Sequence, residues 1–141
     1  MPRRRGFRWD GANSELEIHV DGTEVVKFTA AGGMELTGRG TVTQATSFTT
    51  GVTVSASSGT ITTSDTGAPA AGAEATFVVT NTFVDTNDVV VVCNDVSTAG
   101  TPLAFVSAVG AGTFDVTVTN LHATNAVTGL VISFAVIKSG A

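Results

Sequence analysis

A chain of 141 residues, 43% hydrophobic and only 13% charged, has material for one core and a short appendage and too little for a two-domain enzyme. The net charge of -5 is uneven: Arg3, Arg4, Arg5 and Arg8 crowd the first ten residues, while from Gly40 onward Lys138 stands alone against Asp65, Glu74, Asp85, Asp88, Asp95 and Asp115. An acidic body repels a phosphate backbone, which argues against nucleic acid as a partner, and sparse surface charge points to a surface covered by other protein.

Residues 1–13 read as a basic N-terminal arm. It lacks the apolar stretch of a secretory signal, and no run approaches the ~20 apolar residues of a membrane helix, so a soluble protein made in the cytoplasm is expected, with no membrane partner. Phe7 and Trp9 are large apolar side chains set among arginines. Aromatic and Arg residues are the types enriched at binding hot spots, so Arg3, Arg4, Arg5, Phe7, Arg8 and Trp9 are candidate docking residues. The plain alternative is that Trp9 folds back on the hairpin that follows.

Residues 14–40 form a hairpin region. Glu15 to Val20 and Glu24 to Thr29 alternate apolar with polar positions around Asp21-Gly22-Thr23, and an Asp-Gly between alternating runs signals a tight hairpin turn. Met34 to Thr37 is a third strand-sized unit between glycine-rich breaks. Strands this short bury no core by themselves. Leu16, Ile18, Val20, Val25, Phe28, Met34 and Leu36 are therefore candidate interface residues, to be covered by the main domain or by other copies of the chain.

Residues 41–141 read as a β-sandwich. Strands are expected near Val42 to Gln44, Val52 to Ala56, Thr60 to Thr63, Ala75 to Thr82, Val89 to Asn94, Leu103 to Val109, Phe114 to Thr119 and Leu130 to Ile137, separated by polar or glycine-rich breaks. About eight strands suit a jelly-roll-like antiparallel sandwich, and the fold class is all-β. Phe114, Val116 and Val118 should face inward and Asp115, Thr117 and Thr119 outward. In the last strand both faces are apolar enough to be covered. The segment from Ala68 to Ala73 is expected to be a loop because of its Pro and Gly.

Residues able to do chemistry are few. His19 and His122 stand on separate segments outside any metal-ligand spacing, and Cys93 lies in the run Val89-Val90-Val91-Val92-Cys93, where a buried thiol packs like Ala or Val. Asp85 and Asp88 read as turn residues, without the full calcium-loop pattern around Asn87, and Glu15 and Glu17 as the outward face of a strand. No catalytic, cofactor-binding or metal-binding residue is assigned, and the protein is expected not to be an enzyme.

The stretch Val20-Asp21-Gly22-Thr23-Glu24-Val25-Val26-Lys27-Phe28-Thr29-Ala30-Ala31-Gly32-Gly33-Met34-Glu35-Leu36-Thr37-Gly38 resembles short units of bacteriophage fibre and virion-surface proteins, which often lie in intertwined trimers. The remainder, from Thr43-Gln44-Ala45-Thr46-Ser47 through Thr50-Gly51-Val52 and Gly59-Thr60-Ile61-Thr62 to Phe134-Ala135-Val136-Ile137-Lys138, looks like a small β-domain common in tailed-phage genomes. The resemblance implies a homotrimeric virion-surface protein. It would be a capsid decoration, or cement, protein bound to the major capsid protein of the outer shell. The alternative is a head or tail fibre tip that adheres to a host-surface glycan or protein through outer loops such as Asp85 to Asp88 or Asn94 to Pro102.

Overall fold

A computed structural model describes residues 6–139. The chain divides at Arg39/Gly40 into two compact units, and the described residues hold twelve strands and no helix.

In the first unit, β1 (Gly6–Asp10), β2 (Glu15–Val20), β3 (Thr23–Phe28) and β4 (Met34–Leu36) form one antiparallel sheet in chain order. The β2–β3 turn is the tight one that Asp-Gly favours: Asp21 has φ 51° and Gly22 φ 83°, both left-handed, and Val20 pairs with Thr23 across it. Strand β1 corrects the reading of residues 1–13 as an arm. Over Gly6–Asp10 the chain is a strand, because its alternating Phe7 and Trp9 match Ile18 and Leu16 of β2 in register. Trp9 thus lies back along the hairpin of its own chain. A bulge interrupts β3: Ile18 faces Val26 but His19 faces Glu24, leaving Val25 without an opposite residue. Thr37 pins this bulge, its backbone N–H donating to the Val25 carbonyl at 3.2 Å and its hydroxyl to the Glu24 carbonyl.

The second unit contains β5 (Gly40–Thr43), β6 (Val52–Thr53), β7 (Ser58–Thr62), β8 (Glu74–Thr80), β9 (Val89–Val96), β10 (Pro102–Gly110), β11 (Thr113–Asn120) and β12 (Val131–Ile137). They make two four-stranded sheets, β10-β11-β8-β6 and β5-β7-β12-β9. Alternation turns Phe77 and Val79 of β8 and Phe114, Val116 and Val118 of β11 inward from one sheet. Ile61, Val90, Ile132, Phe134 and Val136 turn inward from the other, and all join one buried cluster with Phe48, Val127 and Leu130. The sheets meet where the Phe114 and Phe134 rings lie 5.7 Å apart, and Phe48 packs edge-on against Phe77 at 5.9 Å. Fully burying side chains of this size stabilises by about 1.5–3 kcal/mol each, so this cluster dominates the second unit.

Two pairings depart from a wholly antiparallel arrangement: β5 runs parallel to β7, and β6 parallel to β8. The reason is topological. Consecutive strands from β5 to β8 alternate between the sheets, so each chain segment re-enters a sheet two strands later, beside and parallel to the strand it left there. Gln44 organises the first crossover, donating to the Phe48 and Thr50 carbonyls at 2.7 and 2.8 Å and accepting from the Ser64 backbone at 3.0 Å.

The β5–β7 pair is so close that it requires glycine. A Cβ on Gly59 would lie 2.2 Å from the Gly40 carbonyl oxygen and 2.8 Å from a Phe134 ring carbon. Gly59→Ala is expected to lower unfolding stability by about 3 kcal/mol, seen as a lower urea midpoint at an unchanged m-value. An unchanged midpoint would mean that β5 can move aside freely.

Two further expectations are corrected. Cys93 is exposed: in β9 the inward positions are taken by Val90 and Val92, which puts Val89, Val91 and Cys93 on the outer side of an edge strand. Strand β12 is buried on one face only, through Ile132, Phe134 and Val136, and Ile137 is exposed. Thr117 faces away from the core as its alternation implies, but it is not solvated there, because Thr76 and Ser107 cover it with hydroxyl contacts of 2.7 and 2.8 Å.

Candidate assembly surface

The first sheet sorts its side chains into two unlike faces. Across one face run two apolar rows set by the strand register: Trp9–Leu16–Phe28–Met34 and Phe7–Ile18–Val26–Leu36. Val20 extends this face toward the turn by the alternation of β2. No charged residue interrupts either row. Phe7 is 76% exposed, Trp9 and Met34 65%, and Phe28 43%, so nothing within the first unit covers this face.

The opposite face is a charged ladder. Arg8, Glu17, Lys27 and Glu35 stand in register across all four strands with alternating sign. Arg8 approaches Glu17 at 3.6 Å, and Lys27 lies 3.6 Å from Glu15 and 3.3 Å from Glu35. The hydrogen bond it donates to Glu35, with the negative charge of Glu15, Glu35 and Glu24, holds the Lys27 ammonium above the usual lysine range against the opposing effect of desolvation. Each of these pairs keeps one partner at least partly in solvent, and surface pairs of this kind are worth about 0–1 kcal/mol each, too little to keep a lone sheet folded. A sheet needs a second layer on its apolar side.

Of the residues expected to dock, Phe7 and Trp9 lie on the apolar face and Arg8 on the charged one, so the structure does not bring them together. Arg3, Arg4 and Arg5 lie outside the described residues. Among the expected interface residues, Leu16, Ile18, Phe28, Met34 and Leu36 fall in the two rows, whereas Val25 is the bulge residue and Val26 holds the place in register. The alternation of β3 was legible, but the one-residue slip was not.

Glu17 is a correction: it is buried, not a solvated outward carboxylate. His19 Nε2 contacts its Oε2 at 2.7 Å, and Glu24 stands directly across from His19. The one-residue offset of the bulge makes this meeting, so no spacing rule in the sequence would have found it. His122 is engaged locally, its Nδ1 accepting from the backbone of Thr124 and Asn125 at 3.1 and 2.9 Å.

Asp85 to Asp88 is a turn, and it clasps Lys138 and Ser139, the residues that follow β12. The Asp88 side chain is 1% exposed, and its Oδ2 accepts from Lys138 and from the Asp85 backbone. Its Oδ1 accepts from the Ser139 backbone at 3.1 Å. The Lys138 hydrogen bond, then those from the backbone, hold the Asp88 carboxyl below the ordinary aspartate value of 3.8 despite desolvation. A depressed native value stabilises the fold fully above the unfolded value and loses that contribution as pH falls from about 3.8 through the lower native value. Asp88→Asn is therefore expected to flatten the acid limb of the melting-temperature profile in that window. An acid limb identical to the parent's would assign no linkage to this clasp.

The second unit also presents apolar side chains outward along its edge strands. Val89, Val91 and Val96 of β9, with Ile137 beside Val89, and Leu103 and Phe105 of β10 are exposed. Comparison with protein-family models, curated proteins and solved structures finds no match.

Proposed function

We propose that this chain is a bacteriophage virion structural protein, a capsid decoration (cement) protein that assembles as a homotrimer and binds the major capsid protein at the outer surface of the shell. The observation that carries the reading is the uncharged face of Trp9, Leu16, Phe28, Met34, Phe7, Ile18, Val26 and Leu36, open on a sheet too thin to stand alone. Its occupant is the same face of other copies. A surface without charge calls for one equally without charge, and a homo-oligomer supplies it at fixed stoichiometry. At roughly 150–250 Å² for a large side chain, the four exposures given above amount to about 400–600 Å² per copy, the low end of specific interfaces, and half-exposed Val20 adds to it.

The second unit is read as a jelly-roll-like sandwich, supported by two four-stranded sheets around one core. In this reading it projects from the shell while the basic leading residues dock. Cement acts by mass action: a protein that binds only the assembled shell shifts the balance against disassembly. No catalytic role is proposed.

Cryo-electron microscopy of intact particles tests this. Density for the chain repeated in threefold clusters over the capsid lattice is expected, together with fragile heads in particles that lack it. Density confined to the tail or to a single vertex would overturn the reading in favour of adhesion to a host-surface glycan or protein.

A further inference from the structure

We propose that Glu17, His19 and Glu24, on the charged face of the first sheet, form a binding site for a divalent transition-metal ion of the zinc type. The three donor atoms lie within 4.8 Å of one another. In tetrahedral zinc coordination, with metal–ligand bonds near 2.0–2.2 Å, donors stand about 3.3 Å apart, so side-chain rotation alone closes the set. One imidazole nitrogen with two carboxylate oxygens suits zinc and its neighbours better than calcium or magnesium, which prefer oxygen throughout. Three protein ligands leave a fourth position for water or another group.

The backbone is arranged for this meeting. Glu17 and His19 are alternate residues of β2 and share a face, while the bulge at Val25 moves Glu24 from the position opposite Val20 to the one opposite His19. Without the bulge, Glu24 would pair with Val20 on the apolar side. Thr37 then fixes both Glu24 and Val25 through their carbonyls. Glu17 adds a second reason. Its side chain is only 8% exposed, and the nearest guanidinium, on the largely exposed Arg8, is 3.6 Å away, beyond ordinary hydrogen-bond length. A buried carboxylate held by one imidazole at 2.7 Å and a guanidinium this far away is stabilised further by a bound cation. The ion takes the place of the hydrogen between His19 Nε2 and Glu17 Oε2, and the neutral imidazole then carries its one N–H on Nδ1.

Titration of the full chain with Co²⁺, followed by visible absorption, and with Zn²⁺, followed by calorimetry, tests the site. One ion per chain is expected for the parent and for His122→Gln. His19→Gln and Glu24→Gln should each bind about tenfold more weakly or worse. The Glu24 change keeps the test valid if the His19 variant folds poorly, because the Thr37 contacts use only backbone oxygens of the bulge. Absence of saturable binding by the parent, equal affinity in the Glu24 variant, or loss on substituting His122 would each overturn the proposal. A parent chain that sediments as a monomer yet binds one ion would reject the assembly reading alone, so the two proposals fail separately.

Discussion

Trp9→Glu combined with Phe28→Glu is expected to turn the proposed assembly into monomers while residues 40–139 keep their fold. Trp9 and Phe28 both face Leu16 of β2 from its two sides, in one apolar row. Their exposure in the single chain is 65% and 43%, so in the monomer each new carboxylate stays solvated and costs the sheet little. In an assembly the same carboxylates would be trapped against apolar side chains, at a penalty of several kcal/mol per unpaired ion. A dissociation constant raised by about a thousandfold or more is expected, equivalent to about 4 kcal/mol. Sedimentation of parent and variant at matched concentration reads the change, and circular dichroism and the urea midpoint report on the second unit. An oligomer of unchanged mass in the double variant would show that copies meet elsewhere, the exposed apolar edge of β9 and β10 being the next surface to test.

Asn120→Ala is expected to cost about 5 kcal/mol, comparable with the whole stability of a small domain. Asn120 closes β11 and is fully buried. Its amide donates to the carbonyls of Pro69, Ala70 and Asn125 at 3.1, 3.1 and 2.8 Å, and its Oδ1 accepts from the backbones of Thr101 and His122 at 3.0 and 3.1 Å. Three loops are held by this one side chain. An alanine leaves the Asn125 carbonyl and the Thr101 and His122 N–H groups without partners, while the Pro69 and Ala70 carbonyls keep those of Val127 and Ala73, and each orphaned group costs about 1–3 kcal/mol before relaxation. Asn125→Ala is the control, since Asn120 uses only the Asn125 backbone, and should change stability by about 0.5 kcal/mol or less. Chemical denaturation of both variants decides the point. A loss below about 1 kcal/mol for Asn120→Ala would mean that solvent reaches these loops and replaces the amide.

The ranking of effects explains how the molecule is organised. In the second unit, stability comes from two sheets sharing apolar residues, and polar residues such as Asn120, Gln44 and Asn81 fasten loops over the ends. The first unit has only four short strands, one ladder of exposed charges and an apolar face without a second layer. In this reading its folding free energy is completed by assembly. A part of the protein that is incomplete alone senses whether partners are present, which is what a shell-binding role asks of it.

Much of the strand layout is legible in the sequence because alternation and turn chemistry are local. Glu15–Val20 is a strand with the bounds its pattern implies, and the Asp21-Gly22 turn follows from two residues that tolerate positive φ. The all-β class and the division near Gly38-Arg39-Gly40 follow from the same local signals. Local pattern does not say which residue faces which. Alternation is satisfied equally by either face, so the exposure of Cys93 depended on β9 lying at a sheet edge, and the inward turn of Val90 and Val92 on where the core lay. Strand β1 was hidden because Phe7 and Trp9 gain a strand partner only when β2 lies beside them. Register did most of what the sequence could not. One unpaired residue at Val25 lines up eight apolar side chains on one face and brings Glu24 to His19 and Glu17 on the other, because a slip of one residue exchanges the faces of a strand.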